Sequence, residues 1–147
     1  MADVIFVRGM TKHRVVRAEP IRLPRGNGDR DLTADFDAPG MSSSGGAHSR
    51  PVLSYLVEPG EEHPVRVKIS INGTNLVDRT LSAPVSGTFT QVVEHGVVDR
   101  EDNELRVFVP ADPQGSVVVS NLILVYSADQ EISLPDPDTP PPSGNGF

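Results

Sequence analysis

The chain has no cysteine and no tryptophan, and only two tyrosines and five phenylalanines. Without cysteine, no disulfide, thiolate nucleophile or zinc–thiolate site can form. Lysine is almost missing as well: the thirteen basic residues are arginines except for Lys12 and Lys68. No apolar stretch nears the roughly 20 residues that cross a bilayer as a helix, so no membrane partner is expected. Hydrophobic residues make up 37% of the chain, below the usual range for globular domains. Much of that deficit falls in three Pro/Gly/Ser-rich stretches. Helix breakers are plentiful instead: fourteen Pro and thirteen Gly interrupt any long helix.

What remains is the material of one β domain. A length of 147 residues suits a single core. Valine dominates the apolar set, and its stiff β-branched side chain fits a pleated surface. The start, Met1-Ala-Asp-Val-Ile-Phe-Val-Arg8, has a four-residue apolar run with no basic segment before it. It reads as a strand, not a secretory signal, which gives the expectation of a soluble chain, cytoplasmic or part of a virion. Net charge is −7 but uneven: residues 1–30 carry seven basic and three acidic side chains, residues 31–147 six and seventeen. An acidic body repels phosphate, so no nucleic-acid partner is expected. A basic arm on an acidic body can complement a neighbouring copy.

Along the chain, Val4 to Arg8 reads as a strand closed by Gly9, and His13 to Leu23 as an extended segment that Pro20 and Pro24 confine to an edge or a bulge. Arg25-Gly-Asn-Gly-Asp-Arg30 is a turn by its chemistry, and Leu32 to Phe36 a short strand. Residues 1–37 therefore read as an N-terminal arm of strands belonging to the sandwich. Residues 38–51 are a Gly/Ser-rich loop. Residues 52–128 form the sandwich body. Val65-Arg-Val-Lys-Ile-Ser-Ile71 alternates strictly, giving one buried face, and Asn72-Gly73 follows as a tight hairpin turn. Glu104 to Val109 alternates with Leu105, Val107 and Val109 inward. Asp99 to Asn103 is a polar turn. Ser116 to Ser127 is continuously apolar enough for a strand covered on both faces. Residues 129–147 end in a Pro-rich tail that favours polyproline II or disorder. Short strands at this rhythm with turn chemistry between them make an all-β, antiparallel, jelly-roll-like sandwich.

Residues 51–127 resemble the galactose-binding-like jelly rolls of carbohydrate-binding modules. The likeness lies in the order of three features: an alternating strand ending in Ile71-Asn-Gly73, then Asn103-Glu-Leu-Arg-Val-Phe-Val109, then Gly115-Ser-Val-Val-Val-Ser-Asn-Leu-Ile-Leu-Val-Tyr126. The resemblance implies the sandwich fold and, as one function, glycan binding, which sugar-binding members perform with aromatic side chains on loops. Here Tyr55 and Tyr126 lie inside apolar strands and are expected in the core or on a strand face. The resemblance also implies a structural calcium ion as a candidate, for which Asp29/Asp31, Asp35/Asp37 and Asp99/Glu101/Asp102 are the acidic groups close in sequence; their composition fits solvated turns.

Catalytic residues, cofactor-binding residues and metal ligands are each expected to be none. His13, His48, His63 and His95 share no metal-ligand spacing. Ser42-Ser-Ser44-Gly-Gly lacks the frame of a nucleophile elbow, and Gly26-Asn-Gly28 is not a phosphate loop. The leading expectation is a non-enzymatic structural protein that assembles through its termini, concretely a phage capsid decoration or tail component. Its partner would be itself or a shell or tail protein, with Arg14, Arg17, Arg22 and Arg25 as assembly contacts. The alternatives are a carbohydrate-binding sandwich with a glycan partner and a small intracellular enzyme.

Overall fold

The computed structural model describes residues 4–42, 50–61, 64–82 and 86–133, with backbone alone for 4–9 and 130–133. Within them run β1 (Val4–Arg17), β2 (Ile21–Leu23), β3 (Asp31–Phe36), β4 (Val52–Pro59), β5 (Val65–Ile71), β6 (Thr74–Leu81), β7 (Gly87–Val92), β8 (Asn103–Phe108) and β9 (Val117–Ser133). One sheet has the order β1-β9-β4-β7, with β2 beside the start of β9, and the other the order β3-β8-β5-β6. We name them the β9 sheet and the β5 sheet. The ladders that join their strands are antiparallel.

The core lies between the sheets because every strand places alternate side chains there. Val65, Val67, Ile69 and Ile71 of β5 are fully buried, facing Leu53, Tyr55 and Val57 of β4 and Val117, Val119, Leu122 and Leu124 of β9. Burying one such aliphatic side chain contributes about 1.5–3 kcal/mol over leaving it in water. Arg66, Lys68 and Ser70 point the other way, as the alternation requires. Tyr55 and Tyr126 are buried, at 1% and 4% exposure.

Two strands depart from expectation, in three respects. β1 does not stop at Gly9 but continues to Arg17, because a register shift between Val7 and Met10 takes up the glycine without breaking the ladder to β9. β9 extends to Ser133, past the expected end of the body at 128, because Val4 to Val7 pair with Ser133 to Gln130 whatever their polarity. β9 is also not packed equally on both faces. Val117, Val119, Leu122, Leu124 and Tyr126 are buried in the core, whereas Val118, Ile123 and Val125 look outward and are half-buried. A continuous apolar run cannot say which of its two faces meets the core.

The two seams between the sheets are closed by charged side chains. At one seam, the Arg79 guanidinium of β6 lies 4.1 Å from the centroid of the Phe89 ring on β7, and that ring sits 5.8 Å from Tyr55. At the other, Lys12, Arg14 and Arg17 of the edge strand β1 stand opposite the buried Tyr126, Leu124 and Leu122. Their stems cover the core while their charges discourage a further strand from adding to β1.

Candidate functional site

One end of the sandwich is locked by two asparagines. Asn72, at φ 50°, and Gly73, at φ 82°, make the tight hairpin between β5 and β6 that their sequence predicts. The Asn72 side chain does a second job. Its Nδ2 donates to the Val97 carbonyl at 2.8 Å and to Asn103 Oδ1 at 2.9 Å, and its Oδ1 accepts from the Glu104 amide at 2.9 Å. Asn103, 1% exposed, donates to the Phe36 and Asp99 carbonyls at 3.2 and 2.7 Å and accepts from the Asp99 amide at 2.7 Å. Every polar atom of the Asn103 side chain is satisfied, so this network is structural and not a waiting ligand site.

The acidic clusters are also engaged in the fold. Asn27 donates to Asp29 at 2.9 Å within the 25–29 turn, and Asp37 accepts the Asp102 amide at 2.8 Å. Among the described residues, no group of three or more His, Asp or Glu side chains is placed to hold a metal ion. His13 and His95 are exposed and far apart in the fold order. His48, His63, Ser43 to Gly46 of the serine-rich loop, and the Pro-rich tail from Leu134 lie outside the described residues.

The four arginines expected to make assembly contacts are not brought together. Arg14 lies on the inward side of β1, near Tyr126; burial pushes the Tyr126 phenol up and the Arg14 charge pulls it down. Arg17 is half-buried, and its Nε is buried with no hydrogen-bond partner in the described structure. Arg25 sits in the exposed turn after β2. Arg22 alone points outward from the β9 sheet, opposite Val118.

The outer face of the β5 sheet is the most polar surface of the fold. The ladder registers set Asp31, Phe108, Lys68 and Asp78 in one cross-strand row, and Thr33, Arg106 and Ser70 in the next. Arg66 donates to both carboxylate oxygens of Asp78 at 2.7 and 2.6 Å, and Arg106 Nε donates to Asp31 at 2.9 Å. The two hydrogen bonds from Arg66 hold the Asp78 carboxyl below the usual carboxylate range, and Asp78 in turn raises Arg66. The Arg106 guanidinium also lies 4.7 Å from the centroid of the half-buried Phe108 ring. Together they make a flat, amphipathic plate framed by hydroxyls, carboxylates and an ammonium. Sequence reasoning reaches Arg66, Lys68 and Ser70 of this group as the outward side of an alternating strand and Asp31 as an acidic turn residue, but does not bring them together. The signal that could find the plate is Phe108 itself, an aromatic at an outward position of an alternating strand.

The outer face of the β9 sheet is its opposite. One row reads His13, Val125, Val52 and Val92, and the next Val15, Ile123, Ser54 and Thr90. Val15 and Val92, at 54% and 47% exposure, are the exposed large hydrophobics of the described surface, and both lie here. Among the described residues its charged side chains stand at its ends: Arg22 and Glu58 in the row of Val118, and Asp129 on the same side of β9 at the other.

No family model matches the chain, and no curated protein matches it. Its fold does match solved structures. Dimeric latent PorU from Porphyromonas gingivalis superposes with a TM-score of 0.51 at 11% identity, over 88% of this chain and 13% of PorU, so the chain spans only a small part of that protein. The CBM36-1 domain of a multidomain xylanase from the hindgut metagenome of Trinervitermes trinervoides gives 0.47 at 11% identity, covering 84% of this chain and 96% of that one. A CBM36 carbohydrate-binding module in complex with calcium and xylotriose gives 0.42 at 9% identity, over 84% and 99% of the two chains. At such identity the likeness is one of fold alone: the protein is an all-β, jelly-roll-like sandwich of two antiparallel sheets.

Proposed function

We propose that the protein is a non-catalytic recognition module and that the outer face of its β5 sheet takes a glycan. The observation that carries this is the plate made by Phe108 and Arg106, with Asp31, Lys68, Asp78, Thr33 and Ser70 around it. A sugar has an apolar C–H face and a rim of hydroxyls. The plate offers a flat surface for the first and planar bidentate groups for the second. Asp31 and Asp78 are already oriented by Arg106 and Arg66, so little ordering is left for binding to supply. No step of chemistry is required of these groups. No observation ties the partner to a virion shell or tail.

Glycan-array screening of the full chain, followed by titration calorimetry on the best ligand, tests the reading. Phe108→Ala and Asp31→Ala should each weaken binding by about tenfold, the equivalent of about 1.4 kcal/mol. A folded protein that binds nothing on a broad array, or one whose binding is indifferent to both substitutions, would remove the glycan from this face. A second reading, assembly with copies of itself, is favoured by a different observation, the apolar middle rows on the outer face of the β9 sheet.

A further inference from the structure

We infer that the outer face of the β9 sheet is a homodimer interface, with two copies packed face to face about a two-fold axis running along β9. The face is the one place where the described surface exposes large hydrophobics, Val15 and Val92. Between them the outward side chains of β9 and β4 are apolar or small hydroxyls. Sheets packed face to face keep their strand directions within about 30° of each other, a condition that an axis along β9 meets.

The border charges select a second copy as the occupant. Arg22 and Glu58 lie in one row on either side of Val118, both exposed, and neither has an ion-pair partner among the described residues. A rotation of 180° about β9 keeps the order of rows along the strand and exchanges the two flanks of the sheet. Arg22 then lies over Glu58 of the partner subunit, Glu58 lies over Arg22 of the partner subunit, and Val118, Ile123 and Val125 stack on their own counterparts. An axis across the strands would instead carry Arg22 to the far end of the face, opposite Thr11, and lose both pairs. Isologous contacts of this reciprocal kind are how two-fold dimers close.

The size of the face sets the expected strength. Four strands spaced ~4.8 Å apart and eight residues long at ~3.4 Å each cover about 500 Å² per copy. The two copies together bury about 1,000 Å², at the lower edge of specific interfaces. The dimer should therefore exchange with monomer in the micromolar range. The glycan face proposed above is on the other sheet and stays open in this dimer.

Sedimentation velocity on the full chain, from low to high micromolar concentration, reads the equilibrium directly. A reversible monomer–dimer equilibrium is expected. Val125→Glu should weaken it by roughly a hundredfold or more, because two carboxylates would meet at the axis. Arg22→Glu and Glu58→Arg should each weaken it by about tenfold, and the double variant should restore it. Both charge changes are on exposed side chains, and circular dichroism checks that each variant is folded. A wild-type chain that stays monomeric throughout overturns the inference. So does a dimer that ignores Val125→Glu, or a charge-swapped pair that fails to recover. If the wild type is monomeric and deletion of residues 134–147 produces a dimer, the chain's own tail is the occupant and the second copy is not.

Discussion

The two sheets present the same kind of surface to each other and opposite kinds to the outside. Inward, both are aliphatic: Val65, Val67, Ile69 and Ile71 of the β5 sheet meet Leu53, Leu122 and Leu124 of the β9 sheet. Outward, the β5 sheet carries Asp31, Arg66, Lys68, Asp78, Glu104 and Arg106, while the middle rows of the β9 sheet carry Val15, Val52, Val92, Ile123 and Val125. Packing requires the first pattern and is indifferent to the second. An exposed apolar patch costs solubility and is kept where something covers it. A charged face of paired carboxylates and guanidiniums stays hydrated until a polar ligand replaces the water. The outer faces are therefore where this fold carries what is particular to this chain.

The contrast first requires the inner faces to be equivalent. Leu124→Ala in the β9 sheet and Leu105→Ala in the β5 sheet, both fully buried, should each cost about 3 kcal/mol in urea unfolding. A difference of more than about twofold between them would mean that one sheet is not part of the common core. Next in size is the asparagine lock that ties the β5–β6 hairpin and the 93–102 loop to β3 and β8. Asn103→Ala leaves the Asp99 amide and the Phe36 and Asp99 carbonyls without this partner and should cost about 2 kcal/mol. A neutral result would show that water replaces the side chain.

Smaller effects separate the sheets by pH. Asp78 has its folded pKa lowered, first by its hydrogen bonds from Arg66. Its contribution to stability is present above the unfolded value of about 4 and is lost as pH falls through the folded one. Asp78→Asn should flatten the acid limb of the stability profile. Tyr126 has its folded pKa raised by burial. Its contribution is present below the unfolded value of about 10 and lost as pH rises through the folded one. Tyr126→Phe should flatten the alkaline limb, at a cost near neutrality of about 1 kcal/mol for the lost hydrogen bond to the Pro39 carbonyl. Unfolding midpoints across the pH range should thus assign acid sensitivity to the β5 sheet and alkaline sensitivity to the β9 sheet. The smallest effect belongs to salt: the exposed Arg50–Glu94 pair, at 3.5 Å, is screened in solution, so Arg50→Ala should leave stability almost unchanged.

Much of the fold is legible in the residues alone. The two-residue rhythm of β5 and β8 names their buried faces, and Asn72-Gly73 names the hairpin, because both signals are local. That both tyrosines belong to strands follows from their apolar surroundings, and the fold decides between core and strand face in favour of the core. Where reading stops, the missing information is non-local. Gly9 reads as an end because a bulge is visible only beside its partner strand. β9 reads as covered on both faces because apolarity does not reveal which face meets the core. The assembly arginines read as one basic arm. In the fold, Arg14 and Arg17 guard an edge strand, Arg25 is in a turn and only Arg22 reaches an outer face.

The order of residues is thus enough to set the strands, their inward faces and the turns between them, since each depends on neighbours within a few positions. The pairing of sheets settles the rest: that Phe108 and Arg106 share a plate with Asp31, Lys68 and Asp78, and that Arg22 and Glu58 flank Val118 in one row. Those groups lie on different strands, and ladder registers, which no local period encodes, set which of them stand side by side.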